Sequence, residues 1–545
     1  MQGPIVKLGS RRFLSLHLIL EGIIIGLLVG LATSIFRLFI AMSAAPIRLF
    51  IERAQNSYAY AALALLVMCI FGLITAQIVK FEPMISGSGI PQVSAQLQGR
   101  IQVLWHKTLL AKMLGSLFTL GSGLTLGREG PSVQIGGMIG DGVSHIAKRS
   151  ETERRYLLTA GSAAGLASAF NAPLAGAMFA LEELHKNFSP TVLVLAMVSA
   201  YSSVFLAGTV LGTDPVVKVF QFQALDLSMY WAVILIGIIT GLSGVLFNKS
   251  ILGSKLFFSK LAIPKTLKLV IPFAISAIFI IISPNLFGSG LNLMFLDIDA
   301  ANTSRSIGSL FFLLLIKFFL LLIAFGSGLP GGLFFPLLVL GALEGNIIAH
   351  IGMNFGLVNT NTALIFIILA MCGHLSSIVR SPLTAILLVF ELTGSLSFML
   401  PLGIVSLVAY FTAELLGSRP IYASLQDMIP GIDHDLPKKT SEGHTSRSNV
   451  LVEFSVEPNS VADGKMIRDL GMPTGLMIVS LSRGSSQFFP GGSIVLQGDD
   501  FLECLIPEDK LSEYVRFMEG IVGEQNSSEA HLHYKERFFS KKEKH

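Results

Sequence analysis

Long runs of this chain carry almost no charge. Between Ser306 and Ala342 the only charged residue is Lys317, and from Gly345 to Val379 there is none. A helix of roughly 20 mostly apolar residues is long enough to cross a bilayer. Apolar stretches, or cores of them, recur at Leu18–Ala44, Tyr60–Val79, Tyr230–Phe247, Leu269–Ile282, Ile307–Ala324, Ala363–Cys372 and Phe398–Leu416. Only 14% of the residues are charged and 52% are apolar, against about a quarter charged in soluble domains. That deficit excludes a soluble multidomain enzyme, a disordered chain and a nucleic-acid binder. The net charge of +4 points to no polyanionic partner. Cys69, Cys372 and Cys504 are too few and too scattered for a disulfide framework or a zinc site. The chain reads as a polytopic membrane protein. Several stretches are short or broken by glycine, which membranes tolerate only where protein or a water-filled cavity satisfies the freed backbone groups. Many tilted, broken helices around an internal polar path are therefore expected.

The charge pattern also divides the chain. Residues 1–15, with Lys7, Arg11 and Arg12 before the first apolar run, read as a cytoplasmic N-terminus. That run is too long, and lacks a small-residue cleavage site, for a signal peptide. Residues 16–429 form the membrane domain and 430–449 a polar linker. Residues 450–522 have ordinary soluble composition and form a small cytosolic α/β domain. Alternation at 451–456, 476–482, 493–497 and 501–506 predicts strands, and Leu511–Ile521 predicts a closing helix. Residues 523–545 are a polar, basic tail.

Within the membrane domain a segment occurs twice. Gly121–Gly140 and Gly326–Gly345, at an offset of 205, match at Gly121/Gly326, Ser122/Ser327, Gly123/Gly328, Leu124/Leu329, Gly127/Gly332, Pro131/Pro336, Gly136/Gly341 and Gly140/Gly345. A second set follows at an offset of 209: Leu166/Leu375, Ser168/Ser377, Pro173/Pro382, Leu174/Leu383 and Glu182/Glu391. Repeated halves with interrupted helices at matching positions point to a transport site at the repeat interface. A helix that begins inside the membrane presents unpaired N–H groups and the positive end of its dipole, which suit an anion. Gly127-Arg128-Glu129-Gly130-Pro131 and Gly332-Leu333-Phe334-Phe335-Pro336 both have this form, with proline in the first turn.

The differences between the halves carry as much information as the matches. Glu129 aligns with Phe334. A carboxylate at a helix N-terminus sits where a permeating anion would sit, and protonation would let it swing away. Glu129 is therefore a candidate gate and proton acceptor, since intramembrane ionisable residues are costly and usually functional. Glu182, matched by Glu391, reads as a structural cap. Glu183 has no counterpart and lies near the end of what reads as one long apolar helix, close to His185 and Lys186, which suits a second proton station. In Gly87-Ser88-Gly89-Ile90-Pro91 the glycines expose backbone and the Ser88 hydroxyl can donate to an anion.

These motifs resemble the CLC family of chloride channels and proton-coupled chloride transporters: GSGIP (87–91), GREGP (127–131), GLFFP (332–336), the stretch 163–183, and Tyr422 in RPIYASL (419–425). The resemblance implies a CLC-type inverted repeat of tilted and broken helices, all-α, and a homodimer with one pore per subunit. It implies a central anion held by Ser88, Tyr422 and the backbone N–H groups of Leu333 and Phe334, with the Arg128 and Gly130 amides around the Glu129 site. Gly87, Gly89, Pro91, Gly127 and Pro131 shape these turns. Glu183 matches the internal proton glutamate and Lys112 a buried lysine of the bacterial transporters. Serine at 88, rather than proline or methionine, favours chloride. A carboxyl at 183 favours proton-coupled antiport; a passive voltage- or proton-gated chloride channel of the same fold is the alternative. Ser94 departs from relatives that carry a glutamate there. An intramembrane enzyme using Glu129 and Glu183 as acid and base lacks a nucleophile and a metal set, so no enzyme activity, cofactor or metal is expected.

The soluble domain resembles the regulatory C-terminal half of potassium-conductance regulators (TrkA-C), on residues 460–473, 479–484 and 496–507. Such domains dimerise, and some bind small ligands including cyclic dinucleotides. A small ligand at 450–522 and a purely dimer-stabilising role both remain open. The absence of the domain pair found on many eukaryotic relatives favours a prokaryotic plasma-membrane protein with both termini cytoplasmic.

Overall fold

The computed structural model describes residues 8–186, 190–212, 225–294, 306–430, 449–483, 486–507 and 510–523. Most of the expected linker, the start of the N-terminal segment and nearly all of the basic tail lie outside those residues. The chain divides into two compact units, Met1–His434 and Asp435–His545.

The first unit is helical: α1 Leu8–Ala54, α2 Tyr58–Phe81, α3 Ile90–Leu97, α4 Trp105–Gly121, α5 Glu129–Ile146, α6 Glu151–Phe170, α7 Pro173–Phe179, α8 Pro190–Leu211, α9 Tyr230–Lys260, α10 Lys265–Ile282, α11 Ile307–Gly326, α12 Phe334–Asn354, α13 Thr360–Val379, α14 Pro382–Thr393, α15 Met399–Leu415 and α16 Ile421–Gln426. Nine helical spans among the described residues are long and apolar enough to cross a membrane. Two of these, α8 and α12, lie outside the apolar stretches singled out above. In α8, Ser199, Tyr201, Ser202 and Ser203 dilute the apolar pattern, yet Ser203 satisfies its hydroxyl inside the fold by donating to the Ala164 carbonyl at 3.1 Å. The apolar window of α13 is 89% buried and that of α11 only 28%, so α13 is wrapped by protein while α11 presents its sides to lipid.

Close helix contacts explain the repeated glycines. A Cβ at Gly136 or Gly140 of α5 would lie 2.1–2.2 Å from the carbonyl of Gly161 or Leu157 on α6. Small residues let membrane helices approach until their backbones touch. The repeat partners Gly341 and Gly345 do the same for α12 against α13, where added Cβ atoms would come within 2.9 Å of Ala370 and Ile367. Where charge enters this packing it is paired: Asp141 is fully buried and accepts from Arg154 at 2.6 Å and Gln96 at 2.9 Å.

Helices α3, α7, α14 and α16 have 8, 7, 12 and 6 residues, too few to cross roughly 30 Å of hydrocarbon. The helix carrying Glu183 differs from its expected form. It is not one long helix: Asn171 turns left-handed at the end of α6, α7 is short, and residues Ala180–His185 wind as a π-helix. Single π turns are rare and cluster at functional sites.

The second unit holds a four-stranded antiparallel sheet in the order β1-β4-β2-β3, from β1 Asn449–Ser455, β2 Met477–Arg483, β3 Ser486–Phe488 and β4 Asp500–Pro507, and one helix, α17 Leu511–Val522. In the β1–β4 pair Leu451 is in register with Leu505 and Phe454 with Leu502. The expected strand at 493–497 is absent; there Val495 makes only an isolated bridge to Met466. Pro490, Gly491 and Gly492 precede it, which sets the segment in a turn rather than in register with the sheet. Cys504 lies in the core, and burial pushes its thiol up to about 12, so it is inert at neutral pH. Arg483 pairs with the buried Asp500 through Nε–Oδ1 and Nη2–Oδ2 contacts of 2.6 and 2.7 Å.

Candidate anion and proton site

The two repeats meet through their glycine turns. The Gly127 N–H donates to the Gly332 carbonyl at 2.7 Å, and the Gly332 N–H donates to the Gly127 carbonyl at 2.6 Å. The GSGIP turn joins the same point. Gly87 and Gly89 have φ of +68° and +94°, a region where only glycine sits without penalty. A Cβ at Gly130 would lie 2.4 Å from the Ser88 Oγ and 3.0 Å from the Gly332 Cα. Three turns separated by up to some 240 residues in sequence are thus in van der Waals contact.

Each turn opens a helix. Arg128 is the N-cap of α5 and Leu333 the N-cap of α12, and neither side chain caps its helix. The first-turn N–H groups therefore remain available, reinforced by the helix dipoles. The hydroxyls of Ser88 and Tyr422 interact with each other, both residues are at most 2% exposed, and neither hydroxyl makes a well-formed hydrogen bond to a protein acceptor. Buried polar groups are almost always satisfied, and two donors without a protein acceptor are what an anion would engage. Tyr422 is set by Phe179, whose ring lies 6.4 Å from it and 5.5 Å from Phe334, both edge-on.

Glu129, 2% exposed, turns its carboxylate to its own N–H and to that of Phe335 in the first turn of the opposite repeat. Its Oε2 has no partner, and the Arg128 Nε is 3.9 Å from Oε1. The carboxylate thus engages first-turn donors of both half-helices, α5 and α12. Glu183, 5% exposed, sits apart and accepts a 3.4 Å hydrogen bond from Ser381. The two glutamates do not touch, but the Tyr422 hydroxyl interacts electrostatically with both. Glu182 and Glu391 are reciprocal caps: Glu182 accepts from the N–H groups of Leu383 and Thr384 on α14, and Glu391 from those of Leu174 and Ala175 on α7.

Lys112 is fully buried and donates to the Ile85 and Gly87 carbonyls, both at 2.8 Å. It ties the start of the Ser88 turn to α4. Exchanging Lys112 for methionine leaves the buried Ile85 carbonyl without this donor, a loss of about 1–3 kcal/mol, while the Gly87 carbonyl keeps only the Gly331 N–H at 3.1 Å. The expected result is a lower thermal midpoint together with weaker chloride binding by calorimetry; unchanged values would remove the lysine from this role.

Several participants carry only a weak signal in the sequence. Arg37, the one charge in the middle of α1, donates to the Ser168 carbonyl and interacts with Glu129; its isolation in an apolar run is that signal. Ser94, Gln98 and Gln426 form a hydrogen-bonded triangle that fixes α16, and with it Tyr422, against α3. The repeat also extends beyond the two matched sets. Gly87-Ser88-Gly89 has a copy in Gly288-Ser289-Gly290, and Lys317, aligned with Lys112, donates to the Leu286 and Gly288 carbonyls at 2.8 and 2.7 Å. The copy shifts to an offset of 201, which hides it in a constant-offset comparison.

Comparison with known proteins agrees with this architecture. Residues 70–414 match the family described as voltage gated chloride channel, and residues 451–502 match the TrkA-C domain. The chain is 38% identical over 354 residues to the H(+)/Cl(-) exchange transporter ClcA of Vibrio cholerae serotype O1, covering 64% of this chain and 75% of the relative. It is 32% identical over 433 residues to the ClcA of Salmonella paratyphi B, covering 77% and 90%. Its fold superposes on a slow cyanobacterial Cl-/H+ antiporter with a TM-score of 0.71 and 27% identity over 75% of this chain and 97% of the other. A CLC-type fluoride/proton antiporter shares the fold, with a TM-score of 0.63 and 21% identity over 77% and 98%.

Proposed function

The chain belongs to the voltage gated chloride channel family, and from that premise we propose how its own residues perform the exchange. It is a multi-pass membrane transporter that moves chloride in exchange for protons; of the two readings left open by the sequence, antiport holds over passive conduction. The proposal concerns the site. Chloride is held by the Ser88 and Tyr422 hydroxyls and by the N–H groups of Leu333 and Phe334, with the Arg128 and Gly130 amides beside Glu129. The observation that carries this is the Glu129 carboxylate lying on the Phe335 N–H, with one oxygen unpartnered. An ionised Glu129 and an anion compete for the same donors; a protonated one yields them. Anion passage is thereby linked to protonation of Glu129.

Glu183 supplies protons from the other side, with Tyr422 between the two carboxyls. Glu183→Gln is expected to abolish proton movement while chloride efflux continues. Proton pumping that survived this change would remove Glu183 from the path. The reading as a whole is tested by reconstituting the full chain in vesicles and imposing a chloride gradient: uphill proton movement is expected, and its absence would overturn the exchange assignment. The protein acts as a homodimer in a prokaryotic plasma membrane with both termini cytoplasmic, a reading supported by the CLC relatives and the basic N-terminal segment. The TrkA-C domain supports a regulatory role for residues 450–522 through a small ligand.

A further inference from the structure

A groove on the membrane unit stands outside the transport site. It runs between the end of α2 and the first half of α4, with a volume of about 610 Å³, and its walls include Ile78, Phe81, Leu110 and Leu114. Phe81, Leu110 and Leu114 are 66%, 62% and 50% exposed. The volume is that of an ordinary ligand pocket, but the lining is almost wholly apolar below one polar end. That end is basic. His106 and Lys107 line it, and Lys80 lies in the last turn of α2. The one acid nearby, Glu82, pairs with Lys107 at 3.5 Å. The Lys107 ammonium also rests over the Phe81 ring, 4.4 Å from its centre. Trp105 opens α4 at the same level, and tryptophan with lysine marks the membrane–water interface.

The length fits as well as the charge. From Trp105 to Leu114, α4 rises about 14 Å at 1.5 Å per residue. One leaflet of hydrocarbon is about 15 Å deep, half of a roughly 30 Å core. The groove therefore begins with cations at the interface and continues with apolar walls to near the bilayer midplane.

We propose that this groove seats an anionic phospholipid, its phosphate between His106 and Lys107 and one acyl chain against Phe81, Ile78, Leu110 and Leu114. A zwitterionic lipid offers the same chain, but its own cation opposes Lys107 and Lys80. The site adjoins the anion pathway through two connections. Glu82, the partner of Lys107, accepts the Met84 N–H at 3.2 Å at the start of the turn leading to Ser88. Ala111 of the groove wall neighbours Lys112, which holds that turn from the other side. Bilayer composition thus acts on the segment that presents the Ser88 hydroxyl.

The chain has two tryptophans, Trp105 and Trp231, which makes the test direct. Full-length Trp231→Phe protein is placed in nanodiscs of phosphatidylcholine, and brominated phosphatidylglycerol or brominated phosphatidylcholine is titrated in while Trp105 fluorescence is read. The expected result is stronger association of the anionic lipid by about fivefold, the factor one lysine near an anionic surface is worth. The preference should fall toward one in Lys107→Gln, and in part in His106→Gln, which leaves the Glu82 pair intact. Equal quenching by both lipids would reduce the groove to a place for any acyl chain and overturn the proposal. So would a preference that survives both substitutions, which would place the lipid elsewhere. An unchanged thermal midpoint in detergent confirms that each variant is folded.

Discussion

Exchanging Glu129 for glutamine is expected to abolish proton movement while chloride flux continues. The amide keeps the size and shape of the side chain but cannot ionise, so no proton is exchanged as an anion passes. It also loses the negative charge that competes with chloride for the Phe335 N–H and the end of the α12 dipole. A charge at a helix N-terminus is worth about 1–2 kcal/mol when partly buried. Chloride binding to the variant should therefore tighten several-fold in calorimetry. The decisive measurement pairs chloride and proton flux in vesicles. Chloride efflux with no proton uptake is the expected result, and retained coupling would remove Glu129 from the role of gate. The two neighbouring cations keep partners without the carboxylate, Arg128 donating to the Ala169 carbonyl at 3.3 Å and Arg37 to the Ser168 carbonyl at 3.2 Å.

Placing a methyl group on Gly130 should have the opposite signature. The added carbon would meet the Ser88 Oγ at 2.4 Å and the Ser88 carbonyl at 2.8 Å, with the Gly332 Cα at 3.0 Å. None of these three turns can retreat freely. Gly127 and Gly332 are tied by two reciprocal hydrogen bonds, and Lys112 pins the Ser88 turn. Overpacking of this kind costs about 1–3 kcal/mol and shifts backbone, and the backbone here carries the anion donors. Gly130→Ala is expected to lower chloride and proton flux together, by roughly thirtyfold at the middle of that range. Parallel loss of both ions separates this effect from the uncoupling expected at Glu129. Normal flux in the alanine variant would show that the three turns are not the anion site.

Much of this architecture is legible in the residues themselves. Glycine and proline sit at fixed places in the two repeats because a helix starting inside a membrane needs them, whatever the rest of the sequence does. The Glu182/Glu391 match implies a shared structural task, and both residues cap a helix of the other half. Other parts are hidden. The second GSG turn is masked because a shifted offset breaks its alignment with the first. The Ser94–Gln98–Gln426 triangle joins residues some 330 positions apart, and polar residues of this type look the same in sequence whether they solvate a surface or lock two helices. The strand expected at 493–497 does not form because alternation records facing, not pairing, and the glycines before it leave the segment out of register.

Sequence alone determined the solvent of this chain, its division into two repeats and a soluble appendage, and which glutamates lack a counterpart. Charge deficit and residue spacing are local properties, so they can be read along the chain. Only the tertiary structure decided that the turns at 88, 130 and 332 touch, that Glu129 rests on a donor of the opposite repeat, and that Tyr422 interacts with both asymmetric glutamates. Those facts depend on distances between segments far apart in sequence. Such distances are set by how helices with small-residue faces close on one another, and a periodicity does not record them.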